Sequence, residues 1–303
     1  MDFDAIIIGA GPAGLAAAVY LARQKVRFAI LTGDVGGKVL WSSDVENYLG
    51  FHLLDGVDLV KKFRAHLDDY KDAFTWKEGE RVQSVVAVNG GFRIKTENAA
   101  YTSRTLLVAT GQENRRLGVP GEKELTGKGV AYCATCDAPL FAGKAVHVVG
   151  GGNSAMDAAL FLAKYAVQVT MVVLGPELTG DARLKAACLA EPKIRISPQT
   201  KTVRIEGGPF VAGIVLADAS GAERTEPSQG VFVEIGLMPN TGFLDLVEKD
   251  KKGQIIVDAQ NRTSVPGVFA AGDATSVPEK QIAIAVGEGS KAALQLIHYL
   301  QTL

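Results

Sequence analysis

The stretch FDAIIIGAGPAGLAAAVYLARQ, Phe3 to Gln24, decides the fold. It opens with an apolar strand, Ala5 to Ile8, which runs straight into G-x-G-x-x-G at Gly9, Gly11 and Gly14. An alanine-rich helix follows with Pro12 at its start, where a missing N–H is harmless. A second strand, VRFAIL (Val26 to Leu31), comes next. Strand, glycine turn, helix, strand is the setting in which this spacing binds a dinucleotide. The glycines permit the tight turn. They also let the backbone around Pro12, Ala13 and Gly14 approach a pyrophosphate at the positive end of the helix.

The arrangement recurs. KAVHVVGGGNSAMDAALFLAKYAVQVTMVV again reads strand, glycine turn, helix, strand, now as G-x-G-x-x-A at Gly150, Gly152 and Ala155, with Asn153 and Ser154 at the helix start. Two such units predict two dinucleotide sites in an α/β chain of two Rossmann-like domains. Between them lies TLLVATGQ (Thr105 to Gln112), an apolar strand ending in A-T-G. Later comes TSVPGVFAAGDA (Thr263 to Ala274), a turn and an apolar strand that ends at Gly272 and Asp273. A last helix begins near Gln281, with apolar residues at helical spacing through AIAVGEGSKAALQLIHYL.

The bulk numbers agree with two ordinary globular domains. The chain has 303 residues, of which 47% are hydrophobic and 21% charged, with a net charge of -1. Neither nucleic acid nor a membrane surface is an expected partner, because both call for a basic excess. No apolar run has the length of a membrane span. The acidic start MDFDAIIIGAG is unlike a signal peptide, so a cytoplasmic location is expected.

Two of the three cysteines stand in YCATCDAPLF (Tyr132 to Phe141) as C-x-x-C followed by Asp137. A structural zinc site needs four ligands, and neither Cys188 nor the four histidines offer a matching spacing, so no metal is expected. Haem attachment needs a histidine where Asp137 stands. A redox dithiol needs only the pair and an electron source, which two dinucleotide sites would supply.

With these motifs the chain resembles flavoproteins with two dinucleotide-binding domains, and CATCD is similar to the redox site of the low-molecular-weight thioredoxin reductases. The resemblance implies a three-layer ββα fold for each domain, the second inserted in the first. FAD would bind residues 1–114 and 243–303, and a nicotinamide nucleotide 115–242. FAD contacts carried over are the first glycine loop, Thr32, Thr110 and Gly111, and Gly272 with Asp273. GGKVLWSSDVENYLGF (Gly36 to Phe51) aligns with a family segment that has G-G-Q and then E-N-Y, which adds Gly36, Gly37, Lys38 and Asn47. KQIAIAVGEG (Lys280 to Gly289) matches R-Q-x-x-x-A-x-G-x-G, which adds Lys280, Gln281 and Ile282. The catalytic set implied is Cys133 as attacking thiol, Cys136 facing the flavin and Asp137 as acid–base residue. In the family the inserted domain rotates, which places hinges near Glu113–Leu117 and Pro239–Gly242. The implied partner is a thioredoxin- or glutaredoxin-like protein, and the implied assembly a homodimer.

The donor segment departs from the family. NADPH-using members follow the second unit's second strand with H-R-R-x-x-x-R, whose guanidinium forks take the 2′-phosphate. Here VTMVVLGPELTGDARLKAA has no basic residue before Arg183. NADH is therefore expected over NADPH, although Val173 and Leu174 stand where an acid usually reads the ribose. The loop LGPELTGDARL is similar to that of the NADH-using flavoprotein subunits of alkyl hydroperoxide reductases. A reductase component of a peroxide-removing system, and an atypical reductase with a non-nicotinamide donor, are the rival enzyme readings. A dithiol oxidase would not be expected to keep Asp137, and a flavin-binding sensor without activity would need none of Cys133, Cys136 and Asp137.

Overall fold

The computed structural model describes residues 1–41, 45 and 47–303, with the side chains of all of these except Trp41 and Cys136. The chain divides into two compact units, Met1–Glu113 with Met238–Leu303, and Asn114–Leu237. The second is thus inserted in the first.

The first unit is built on a seven-stranded sheet. Phe3–Ala10 lies at its centre, parallel to Phe28–Val35 on one side and Ala100–Val108 on the other. Phe74–Glu78 extends one side, antiparallel Gly91–Thr96 and Val82–Val88 extend the other, and Val268–Ala270 also pairs with Ala100–Val108. The central strand is apolar from Ala5 to Ile8, where both its faces are covered. Ala5 and Ile7 pack with helices Pro12–Arg23 and Ile282–Gln301, while Ile6 and Ile8 pack with Val85, Ile94 and Leu244. Two opposed cores on one sheet make the three layers.

The second strand is offset from its expected span. Lys25 adopts φ 56° and the Val26 N–H closes back on the Leu21 carbonyl, so the strand starts at Phe28. It then runs on to Val35, which pairs with Ala10. The A-T-G strand is likewise shifted to Ala100–Val108.

The second unit repeats the plan. Its five-stranded parallel sheet runs in the order Ile194–Ser197, Gln168–Val172, Ala145–Val149, Gly230–Val233, Val130–Ala131. Helix Asn153–Ala163 covers one face, and the three-stranded antiparallel sheet of Lys201–Gly207, Val211–Ala217 and Glu223–Pro227 covers the other. Gln112–Asn114 and Leu237–Pro239, where the chain crosses between units, form a two-stranded sheet. No described helix is long and apolar enough to cross a membrane.

Candidate functional site

The first glycine loop sits at the carboxyl end of the central strand of the first unit. Gly9 has φ 103°, and a Cβ there would lie 2.4 Å from the Ala109 carbonyl oxygen, so no other residue fits. Gly14 packs against Gly9, and Gly289 packs against Ala13, each so closely that a Cβ would lie 2.0 Å from a carbonyl oxygen. These contacts press helices Pro12–Arg23 and Ile282–Gln301 together. Gly11 differs: a Cβ there would meet nothing within 4 Å, and this N-cap position makes no side-chain capping bond. Open space over first-turn N–H groups fits a pyrophosphate.

Other expected cofactor residues gather around this loop. The Gly36 N–H bonds the Ala10 carbonyl at 2.8 Å, and a Cβ on Gly37 would come 3.8 Å from the Gly11 Cα. Next to them, the Lys38 ammonium lies 2.6 Å from the Asp273 carboxylate. Asp273 stands on a 3-10 turn, Gly272–Ala274, and a Cβ on Gly272 would be 3.1 Å from that of Ala13. Asn47 donates to the Gln281 side-chain oxygen at 3.1 Å, and Gln281 is the N-cap before Ile282. The Thr110 hydroxyl donates to the Asn240 carbonyl at 2.7 Å, beside Gly111. Two side chains are engaged elsewhere. Thr32 donates its hydroxyl to the Asp34 carbonyl, and Lys280 donates to the Thr275 carbonyl at 2.6 Å while burial lowers its pKa.

Sequence reading missed Glu288. This buried carboxylate accepts the Gly272 N–H at 2.7 Å and so fixes the turn that carries Asp273. Its own pKa is raised by burial. The signal was available: Glu288 falls on the buried stripe of Ala285, Gly289, Ala292, Ala293 and Leu296, where an acid is out of place.

The second glycine loop has the same build in the second unit. Gly150 has φ 145°, and a Cβ there would lie 2.2 Å from the Glu234 carbonyl oxygen and 2.9 Å from the Cβ of Ala155. Gly152 is the open position, again an N-cap without a side-chain cap. Backbone at Asn153, Ser154 and Ala155 fits a second pyrophosphate. The Asn153 side chain accepts the Asp181 N–H at 2.8 Å, and the Thr179 N–H bonds the Gly151 carbonyl at 2.7 Å. These bonds tie the 174–181 loop to the glycine turn. Val173 is buried, and its methyl lies 2.7 Å from where a Cβ on Gly151 would be. Glu234, also missed, follows the strand Gly230–Val233 beside Gly150; burial, with the Asp157 charge adding, pushes its pKa up to about 7.

The dithiol lies in the same unit. Cys133 is held in a disulfide and precedes the one-turn helix Ala134–Asp137, whose last N–H bonds the Cys133 carbonyl at 3.2 Å. The Cys136 side chain lies outside the described residues, as do parts of the Gly36–Phe51 motif. Asp137 is half-buried, and burial raises its pKa. Such a carboxyl is better suited to hold a proton for a leaving thiolate. Cys188 is fully buried in helix Ala182–Ala190 and reduced. No group of metal-binding side chains occurs among the described residues.

Residues 3–289 match the pattern of the pyridine nucleotide-disulphide oxidoreductase family. The chain belongs to this family. The family's name couples a pyridine nucleotide to a disulphide, in keeping with the glycine cradle and the Cys133 disulfide of the second unit. Within the family the chain is 41% identical over 304 residues to an alkyl hydroperoxide reductase component of Pseudomonas putida, covering 98% of this chain and 58% of that protein. It is 40% identical over 302 residues to a Bacillus subtilis NADH dehydrogenase, with the same coverage of 98% and 58%. The chain thus spans little more than half the length of these curated relatives. A crystal structure of T. acidophilum thioredoxin reductase superposes with a TM-score of 0.81 at 40% identity, covering 99% of both chains.

Proposed function

We propose that the protein carries electrons from NADH through FAD and the Cys133–Cys136 pair to the disulfide of a thioredoxin- or glutaredoxin-like protein, working as a homodimer. The observation that carries this reading is the Cys133 disulfide, followed by a half-buried Asp137, in the unit that also holds a dinucleotide cradle.

In the first cradle FAD would supply the two-electron chemistry that links a nicotinamide hydride to a disulfide. The chain's residues do the rest. Gly9, Gly11 and Gly14 with the Lys38–Asp273 pair hold one cofactor, and Gly150 to Ala155 hold the nucleotide. The electron pair breaks the Cys133 disulfide and leaves two thiols after proton uptake. Cys133, as thiolate, attacks one sulfur of the partner disulfide; a mixed disulfide forms and the partner's other sulfur leaves as a thiolate. Asp137 gives that thiolate its proton. Cys136 then attacks the mixed disulfide, restores the protein's own disulfide and frees the partner's second thiol. Segments near Glu113–Leu117 and Pro239–Gly242 serve as hinges between the steps.

NADH is favoured because the 174–181 loop offers no cation for a 2′-phosphate. The first cation beyond it, Arg183, stands in helix Ala182–Ala190, and Lys185 there is already bonded to Glu177. The name borne by the Bacillus subtilis relative points the same way. A second reading, the reductase component of an alkyl hydroperoxide system, is supported by the identity to the Pseudomonas putida protein. The test is NADH oxidation on addition of oxidised thioredoxin, glutaredoxin or a peroxiredoxin, with Cys136→Ser as control. Turnover that requires one of these proteins and vanishes in Cys136→Ser supports the reading. Turnover that ignores the substitution overturns it.

A further inference from the structure

Neither the nucleotide loop nor the dithiol accounts for Glu122 in the second unit. The residue is 3% exposed, and three donors fill its carboxylate. The Leu117 N–H at 2.8 Å and the Tyr132 hydroxyl at 2.7 Å share one oxygen, and the Gly118 N–H takes the other at 2.7 Å. A buried carboxylate loses its water and is tolerated only where such donors replace it.

The donors come from two places. Leu117 and Gly118 follow closely on Asn114, where the chain enters the unit, and the Arg115 N–H there bonds the Gly236 carbonyl, where the chain leaves. Tyr132 is the residue before Cys133. Its phenol is half-buried, and burial together with the Glu122 bond pushes its pKa up to about 12, so it stays a donor. The Arg116 guanidinium lies over the Tyr132 ring, 5.4 Å from its centre, with a nitrogen 3.3 Å from the phenol oxygen. One carboxylate therefore fastens the entry segment to the residue that carries the cysteine.

We propose that Glu122 is a positioning residue for Cys133, acting through Tyr132 to hold the cysteine in step with the segment by which the chain enters the unit. A displacement of Leu117 and Gly118 pulls on the same carboxylate that holds Tyr132, so the presentation of Cys133 follows that segment. The inference rests on the proposed function in one respect, that Cys133 is the thiol offered to a partner.

The test needs neither NADH nor a partner protein. The full-length flavoprotein is reduced with dithiothreitol, freed of reductant and alkylated with iodoacetamide. Peptide mass spectrometry then gives separate rates for Cys133 and for Cys188, whose burial makes it a gauge of global opening. Tyr132→Phe, Glu122→Leu and the double variant are compared with the wild type. Tyr132→Phe leaves both backbone bonds to Glu122 in place and so keeps the entry segment folded.

Each single variant is expected to raise the Cys133 rate about fivefold, the weight of one ordinary hydrogen bond, with Cys188 unchanged. The double variant should match the singles, because both cut the same link. The proposal is overturned by an unchanged Cys133 rate in Tyr132→Phe, by Cys133 and Cys188 accelerating together in that variant, or by effects that multiply in the double variant. A wild type that fails to pass electrons from NADH to Cys133 would refute the proposed function instead, and these rates would still decide the role of Glu122.

Discussion

The Lys38 ammonium lies 2.6 Å from the Asp273 carboxylate, joining the segment after the second strand to the turn after the last one. Both groups are mostly buried. Lys38→Gln would leave Asp273 without its counter-charge next to the cradle for an anionic pyrophosphate. The expected result is about tenfold faster release of FAD and a loss of ~1–2 kcal/mol in stability, below the cost of breaking a fully buried pair. Flavin fluorescence after dilution and a urea titration measure the two effects.

Glu288 is expected to matter through its shape more than its charge. Glu288→Gln keeps an acceptor for the Gly272 N–H and should cost under ~1 kcal/mol. Glu288→Leu orphans that buried N–H and should cost about 1–3 kcal/mol, with weaker FAD retention. Equal stabilities for the two variants would show that the bond is unimportant.

Asp137 should act after the cofactor is reduced. Asp137→Asn cannot deliver a proton to a leaving thiolate, so reduction of the partner disulfide is expected to slow about 100-fold. Bleaching of the flavin by NADH should keep its rate. Because burial raises the Asp137 pKa, the wild-type rate of partner reduction should fall with rising pH beginning above the ordinary carboxylate range, and the asparagine variant should lack that limb. Stopped-flow absorbance separates the two steps.

Two groups of the second unit should give stability opposite slopes in pH. Burial lifts Glu234 from 4.5 to about 7, so the folded state holds a proton that the unfolded chain releases. Stability from this source is present below pH ~4.5 and is lost as pH rises to ~7, by about 3 kcal/mol at most. His147 is buried among Ser228 and Glu226, and burial lowers its pKa below 6.5 against the pull of Glu226. It therefore loses stability as pH falls below ~6.5. Glu234→Gln should make the protein relatively more stable at pH 8 than at pH 5, and His147→Gln should do the reverse. Urea midpoints across that range check both signs.

The fold was legible because its motifs are local. A strand, a glycine turn and a helix occupy one continuous stretch, and the rule that glycine is needed at Gly9 and Gly150 follows from a backbone approach within that stretch and its neighbour strand. The C-x-x-C spacing at Cys133 is local in the same way, and Cys133 is in a disulfide. What the sequence hid are pairs made by the insertion: Lys38 with Asp273, and Asn47 with Gln281, stand on opposite sides of the inserted unit in sequence. Glu122 and Tyr132 lie closer together, yet no helical or strand period links them. The raised pKa of Glu234 comes chiefly from burial beside the glycine loop, a fact of depth rather than of order.

The most direct test of the central claim is an anaerobic titration of the purified flavoprotein with NADH and, separately, with NADPH, following flavin absorbance and then counting free thiols under denaturing conditions. Electron flow from NADH through the flavin to Cys133 and Cys136 predicts rapid bleaching by NADH, slow bleaching by NADPH, and two more thiols than before in the wild type but none gained in Cys136→Ser. A flavin that dithionite bleaches and neither nucleotide does, or one that NADH bleaches without any gain of thiols, would contradict it.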